Sequence, residues 1–314
     1  MKLELTRGKV QRPQKTVIYG PEGVGKSTIA SQFPAPVFLD TEGGTHHLDV
    51  VRFPAATTWD LISVAIGQLS TGQHEFKTLV IDTADWLEKR LAEHICHKSK
   101  KDSIEDFGYG KGYILLAEEF SKFLLCLDNL LHNGMHVVLL AHSTVRKFES
   151  PDQAGAYDRY ELKLSKQVAP LLKEWADLIL FANYVTRVTE KDNGKLRGVG
   201  GKERMLFATH TAAYDAKNRH GLDDKFELDF AQIAHIFEIK SQEPKNDTTH
   251  PMLERINPMQ RLLADKNSAQ REKVTAGALK RGWIKEGETY LDIPADIATQ
   301  AVAFPERFFA AFSI

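Results

Sequence analysis

Apolar residues fall along the first two thirds of the chain in two alternating rhythms. Short β-branched runs, KTVIY (Lys15 to Tyr19), VFLD (Val37 to Asp40), TLVID (Thr78 to Asp82) and HVVLLA (His136 to Ala141), have the length of strands buried on both faces. Between them lie stretches with apolar residues at helical spacing. One places Leu61, Ile62, Ala65 and Leu69 behind a threonine cap, a second runs from about Trp86 to His97, and a long one runs from Ile114 to His132, stopped by Asn133-Gly134. After KQVAPLLKEWA, two further strands, DLILFANYVTRV (from Asp177) and RMLFATHTA (from Arg204), flank a turn at Lys191 to Lys195. The alternation predicts an α/β fold, a mainly parallel sheet with helices on both faces.

The rhythm stops near SQEPKNDTTHP, Ser241 to Pro251, where the residues become polar and loop-forming. The chain therefore divides into an N-terminal extension (1–14), an α/β core (15–240), a linker (241–251) and a small helical module (252–314) in which no chemistry is legible. With 42% hydrophobic and 26% charged residues the composition is globular, and no apolar run is long enough to span a bilayer. The N-terminus has no apolar signal core, so the expected location is cytoplasmic with no membrane partner. Two cysteines, Cys96 and Cys126, exclude a disulfide framework, and Cys126 lies in an amphipathic run that predicts a core position. HICH (His94 to His97) spreads its side chains around a helix with no second ligand pair, which argues against a metal site. A net charge of −1 supplies no global field for nucleic acid, so any such binding must use local basic patches.

The chemistry begins at the first strand's end. Gly20-Pro21-Glu22-Gly23-Val24-Gly25-Lys26-Ser27, followed by Thr28, fits G-x-x-x-x-G-K-S between a strand and a helix. Its glycines let backbone N–H groups wrap phosphates, and the helix N-terminus adds favourable partial charge. Lys26 is expected to reach the β- and γ-phosphates of ATP, and Ser27 to ligate Mg²⁺. The second Mg²⁺ ligand is Asp82 at the end of TLVID, a residue that also suits capping of the next helix. Hydrolysis needs a group that orients or deprotonates water. Glu42 in FLDTEGG stands at the right sheet edge, with Asp40 competing for the role or serving the scaffold. His142, at the end of VVLLAH, either senses the γ-phosphate or is merely packed.

GPEGVGKST, FLDTEGG, TLVIDT and VVLLAHS, in this order, resemble the RecA-like P-loop ATPase core, most nearly the phage Sak-group single-strand annealing and recombination ATPases. The likeness spans about residues 15–230. It implies that Glu42 is the catalytic glutamate, Asp82 the Walker B aspartate and His142 the γ-phosphate sensor, where RecA itself has glutamine. YDAKNRHG is similar to the K-x-R-x-G segment of RadA and DnaB proteins, which implies that Lys217 and Arg219 reach the nucleotide of a neighbouring subunit in a homo-oligomer. The alternative for this segment is a solvated basic turn.

RecA-like cores bind single-stranded DNA with loops after the Walker B and sensor strands. The first such segment here offers Lys98, Lys100, Lys101, Phe107, Tyr109, Lys111 and Tyr113. The second, a loop from His142 to about Tyr160, offers Arg146, Lys147, Phe148, Tyr157 and Arg159. Cations beside aromatic rings suit sequence-independent binding of a single strand, although interspersed carboxylates also fit a merely solvated surface. The expected function is thus a DNA-stimulated ATPase of phage recombination in a bacterial host, with a single-strand-binding protein as a further partner. The rivals are a P-loop kinase of a small acceptor and a nucleotide-switched assembly protein with little turnover.

Overall fold

The computed structural model describes residues 8, 10–149, 155–190 and 196–238, and in the C-terminal part 259, 263, 266, 268–294, 297, 298, 301 and 305–312. The expected turn at 191–195 and linker at 241–251 lie outside the described residues. Two compact units are present, Met1–Lys240 and Ser241–Ile314.

The first unit is built on a nine-stranded sheet. Its strands are β1 (Lys15–Gly20), β2 (Pro36–Asp40), β3 (Val51–Arg52), β4 (Thr78–Asp82), β5 (His136–Glu149), β6 (Ala156–Leu162), β7 (Leu178–Glu190), β8 (Leu196–Phe207) and β9 (Lys225–Glu227). The order is β3-β2-β4-β5-β1-β7-β8-β9, with β6 paired to β5. The strands from β3 across to β7 are parallel, and β8 and β9 continue antiparallel. Helices α1 (Lys26–Ala30), α2 (Trp59–Thr71), α3 (Ala84–Lys98), α4 (Lys111–His132), α5 (Val168–Trp175) and α6 (Ala234–Phe237) complete it.

The period of two sorts the strand side chains into two layers. Val17, Tyr19, Leu79, Ile81, Val137 and Leu139 pack with the buried stripes of α2 to α5, including Ile62, Leu87, Phe120 and Leu172. Ile18, Val80, Val138 and Leu140 pack on the other face with Ile29, Phe33 and Phe237. Because Gly20 is level with His142 and Asp40 with Asp82, the carboxyl ends of four strands meet at one sheet edge.

Several expectations need correction. The segment after His142 is not a loop: β5 continues to Glu149 and returns as β6, an antiparallel hairpin from Ser143↔Leu162 to Glu149↔Ala156. Neither face of this ribbon carries an apolar stripe, so its residues lack the signal of a buried strand. The first segment is partly folded as well. A 3₁₀ turn at Ile104–Phe107, closed by the Ser103/Asp106 capping box, packs Phe107 and Tyr113 against the helical core and leaves Tyr109 exposed. β8 ends at Phe207, earlier than the strand expected to reach Ala212. The two-residue β3 and three-residue β9 are too short to register as a periodic pattern. Cys126 is exposed, because α4 buries Phe123, Leu124 and Leu127 and turns residue 126 outward, whereas Cys96 is buried.

In the second unit, helix Ser268–Lys280 contributes Val274 and Ala278 to a small core with Ile284, Ile293, Phe308 and Phe312. The Arg281 guanidinium lies over the rings of both Trp283 and Phe312. No described helix is long and apolar enough to cross a membrane.

Candidate nucleotide site

The P-loop runs from Gly20 at the end of β1 to Gly25, the N-cap of α1. Gly20 is required sterically, since a Cβ there would sit 2.1 Å from the Ala182 carbonyl oxygen. Gly25 is required by its φ of +107°, and the end of the Arg204 side chain lies 2.7 Å from where a Cβ would sit. Tyr184 and Arg204, directly opposite each other on β7 and β8, hold the loop from outside. The Tyr184 hydroxyl donates to Gly23 O at 2.9 Å, and Arg204 donates to Val24 O at 3.3 Å. Neither residue belongs to the glycine-rich motif, and no local pattern in the sequence marks them.

Lys26 is 6% exposed, and its Nζ donates to the carbonyls of Gly20 (3.0 Å) and Pro21 (2.9 Å). Burial pulls its pKa below the ordinary lysine value, although Asp82, Asp85, Glu42 and Glu22 all oppose that shift. The ammonium is thus held by neutral carbonyls that a phosphate oxygen can outcompete. The Ser27 hydroxyl donates to Asp82 Oδ2 at 2.6 Å. A hydroxyl and a carboxylate in contact beside a phosphate cradle are the hard oxygen donors that Mg²⁺ takes, so the residues fit Mg²⁺ with a nucleoside triphosphate. Burial, reinforced by Asp40 and Glu42, pushes the Asp82 carboxyl up to about 6 against the opposing Ser27 bond and Lys26 charge.

Asp40, level with Asp82 on the adjacent strand, is committed to the scaffold. Its Oδ1 accepts the N–H groups of Glu42 and Gly43, and its Oδ2 accepts both the N–H and the hydroxyl of Thr45. Burial alone would raise its pKa, but the bonds from Thr45, Gly43 and Glu42 outweigh it and hold the carboxyl below its usual range. The closed turn leaves Glu42 standing free of it, its side chain 34% exposed.

Glu42 Oε2 lies 3.9 Å from His142 Nε2. On the other side of the ring, His142 Nδ1 donates to Asp85 Oδ2 at 2.9 Å, while the His142 backbone N–H donates to Asp85 Oδ1 at 3.0 Å. Burial would raise Asp85, yet the His142 bonds hold it low. One carboxylate from the first turn of α3 therefore fixes both the main chain and the ring of His142, and turns Nε2 toward Glu42. Asp85 escaped the sequence reading, although its signal was present: an aspartate on the first turn after the Walker B strand, in IDTAD. One turn on, Glu88 accepts the Ser165 N–H with both oxygens, at 3.0 and 3.2 Å, just past the end of the hairpin. Burial raises its pKa above the usual carboxylate value.

Of the candidate DNA contacts, Lys98 is the last residue of α3, Lys111 the first of α4, and both are exposed with Lys100 and Lys101. On the hairpin Lys147 is exposed. Arg146 and Arg159 face each other across the ribbon and are compensated separately. Arg146 lies 3.6 Å from Glu161 and donates to Leu164 O at 2.8 Å. Arg159 is buried, paired with Asp215 and placed over the Phe148 ring, so it serves the hairpin's own structure rather than a free cationic surface.

Lys217 and Arg219 lie toward the opposite sheet edge. Lys217 is bridged to Ile179 on β7, and its Nζ donates to Lys173 O and Glu174 O near the C-terminus of α5, both at 3.0 Å. Arg219 pairs with Asp177 at 2.8 Å. Asp177 is level with the start of β1, since its N–H donates to Lys15 O. From Lys15 to the P-loop is a full strand, about 16 Å at 3.3 Å per residue.

No curated protein matches this chain. A family model described as an AAA domain matches residues 12–220, more than half of the chain and the whole span from the first strand to the basic segment. The protein belongs to that family of P-loop ATPases.

Proposed function

We propose that the protein is a RecA-like ATPase of the Sak-group type, hydrolysing ATP and acting on single-stranded DNA in phage homologous recombination by annealing or strand exchange. The observation that carries this reading is the continuity of β5. His142 stands beside Glu42 at the nucleotide site, and the residue after it, Ser143, begins the β5–β6 hairpin. A displacement at the γ-phosphate therefore has a short covalent path into this ribbon, on which Lys147 is exposed.

In the proposed reaction the P-loop amides and Lys26 hold the phosphates, and Glu42 orients the attacking water and accepts its proton. Mg²⁺, bound through Ser27 and Asp82, would supply neutralisation of the phosphate charge. His142, pinned by Asp85, keeps Glu42 directed inward and registers the state of the site. Single-stranded DNA is held by Lys147 on the hairpin and by Lys98, Lys100, Lys101, Lys111 and Tyr109 on the other segment. A stacked base is worth ~1–3 kcal/mol, and the cations add a salt-dependent term. Since Arg219 lies a strand length from its own P-loop, it acts on the nucleotide of the next copy in a head-to-tail assembly.

Phosphate release, measured with and without single-stranded DNA, tests this reading in wild type, Lys26→Ala, Glu42→Gln, Arg219→Ala and Lys147→Glu. The expected result is DNA-stimulated turnover that collapses in the first three variants, with a weakened response to DNA in the fourth. Indifference to DNA would favour a kinase or switch, and unchanged turnover in Glu42→Gln would remove the hydrolytic assignment.

A further inference from the structure

The N-terminal extension, which has no role in the sequence reading, supplies a second cation at the edge opposite the P-loop. Arg12 and Arg219 come from distant parts of the chain, and each donates to the same oxygen, Asp177 Oδ1, at 2.8 Å. Asp177 is 4% exposed, whereas both arginine side chains are 57% exposed. One buried carboxylate thus anchors two guanidinium groups that face solvent. Each spends one of its five N–H donors on the shared oxygen, and the pair keeps one unit of uncompensated positive charge.

Neighbouring charges do not remove that excess. Lys15 is matched by Asp128 at 2.6 Å, and Lys217 is turned onto neutral carbonyls of α5. Arg12 also borders an open cavity of about 190 Å³ lined by Lys15, Asp128 and His132. Two forks held side by side on one carboxylate and open to solvent suit an anion with several oxygens, of which a polyphosphate is the natural class. The strand length to the chain's own P-loop means that the anion belongs to another molecule.

We propose that Arg12 and Arg219 together form the finger that reaches the nucleoside triphosphate of the adjacent copy, with Asp177 as their common positioning residue. This rests on the head-to-tail reading above and changes its content: the second cation is Arg12, while Lys217 serves as a helix cap. Arg12 stabilises charge on the neighbour's phosphates, and Asp177 sets the spacing of the two guanidinium groups.

Full-length Arg12→Gln, Arg12→Lys, Arg219→Gln, Lys217→Gln and Asp177→Asn proteins test this by phosphate release alone and when mixed with Lys26→Ala protein. ATP-dependent self-association is followed by sedimentation, and thermal melting reports folding. Arg12→Gln and Arg219→Gln should each lose turnover on the order of 10²-fold, the usual effect of removing one fixed donor. Both should recover in part when mixed with Lys26→Ala, whose intact finger serves the variant's P-loop. Lys217→Gln should lose less than Arg12→Gln, Arg12→Lys should fall between wild type and Arg12→Gln, and Asp177→Asn should weaken ATP-dependent association.

Wild-type turnover in Arg12→Gln, beside an impaired and rescuable Arg219→Gln, would overturn this inference and leave the single-arginine finger standing. Wild-type behaviour of both would overturn the finger itself. An impaired Arg12→Gln that mixing does not rescue, or that melts far below wild type while Arg12→Lys restores nothing, would show an intrachain role and overturn the inference. Loss of single-stranded DNA binding without nucleotide in Arg12→Gln would mean that the anion is DNA, with the same consequence.

Discussion

Asp40 and Asp82 end neighbouring parallel strands in register, both are buried, and they have opposite electrostatics. The turn after β2 folds back onto Asp40 and gives it four donors, enough to hold its carboxyl below the ordinary range despite burial. Asp82 receives one hydroxyl, from Ser27, and burial pushes it up to about 6. Equal residues at equal positions thus become a scaffold and, under the proposed function, a metal ligand. What decides between them is the supply of N–H donors: a saturated carboxylate has no lone pair to offer a metal, whereas an undersupplied one gains most from meeting a cation.

The largest test of that contrast is Asp82→Asn. Turnover should fall on the order of 10³-fold, as expected when several kcal/mol of metal-supplied stabilisation is lost. The chain without nucleotide should meanwhile be no less stable than wild type near neutral pH. The pH dependence gives the next effect. In the unfolded chain Asp82 titrates near pH 3.9, so between about pH 4 and 6 the folded state binds the extra proton. Its contribution is present at the acid end, falls as pH rises through that window, and the difference integrates to about 3 kcal/mol. Denaturant melts of wild type and Asp82→Asn should therefore diverge with rising pH, with the variant more stable above pH 6. Parallel curves would mean that Asp82 is not strained by burial. Mg²⁺-dependent nucleotide binding should weaken below about pH 6, where the proton competes with the metal.

The same contrast explains how far the sequence could be read. TLVID and VFLD announce two buried strands and their terminal aspartates, and GPEGVGKST fixes the phosphate cradle, because strand periodicity and glycine spacing are local properties. The donors that separate Asp40 from Asp82 are local too, in Thr45 and Gly43, yet the turn they make carries no strong signature. Asp177, Tyr184 and Arg204 became visible only in three dimensions, because their partners, Arg12 and Arg219, Gly23 and Val24, lie far from them along the chain. The hairpin after His142 escaped for another reason: its buried positions are few and mix Arg159 with Leu162, so it lacks the apolar alternation by which strands are recognised.

Asp40→Asn should move stability in the direction opposite to Asp82→Asn. It turns an amide toward Thr45, whose hydroxyl can accept from it but whose buried N–H is left unmatched, at about 2 kcal/mol. The pH slope also has the opposite sign. With its folded pKa depressed, Asp40 contributes stability above its unfolded value, and that contribution is lost as pH falls through the folded one. A stability loss in Asp40→Asn that shrinks toward acid pH, seen in denaturant melts, would satisfy the expectation. A variant as stable as wild type would show that the turn does not need the charge.

The smallest effect isolates one bond. Thr45→Val deletes the hydroxyl that donates to Asp40 Oδ2 at 2.6 Å and leaves the Thr45 N–H on the same oxygen at 3.0 Å. The loss should be about 1 kcal/mol, a fall in Tm of ~2–4 °C for a unit of this size. Asp40 retains three of its donors, so Glu42 should stay in place and turnover should drop less than about threefold. Large loss of turnover with an unchanged Tm would reverse the assignment, because a bond that moves activity without moving stability is aiming Glu42 rather than holding the fold. In that case the turn after β2 would belong to the chemistry, and the division of labour between the two aspartates would be one of degree.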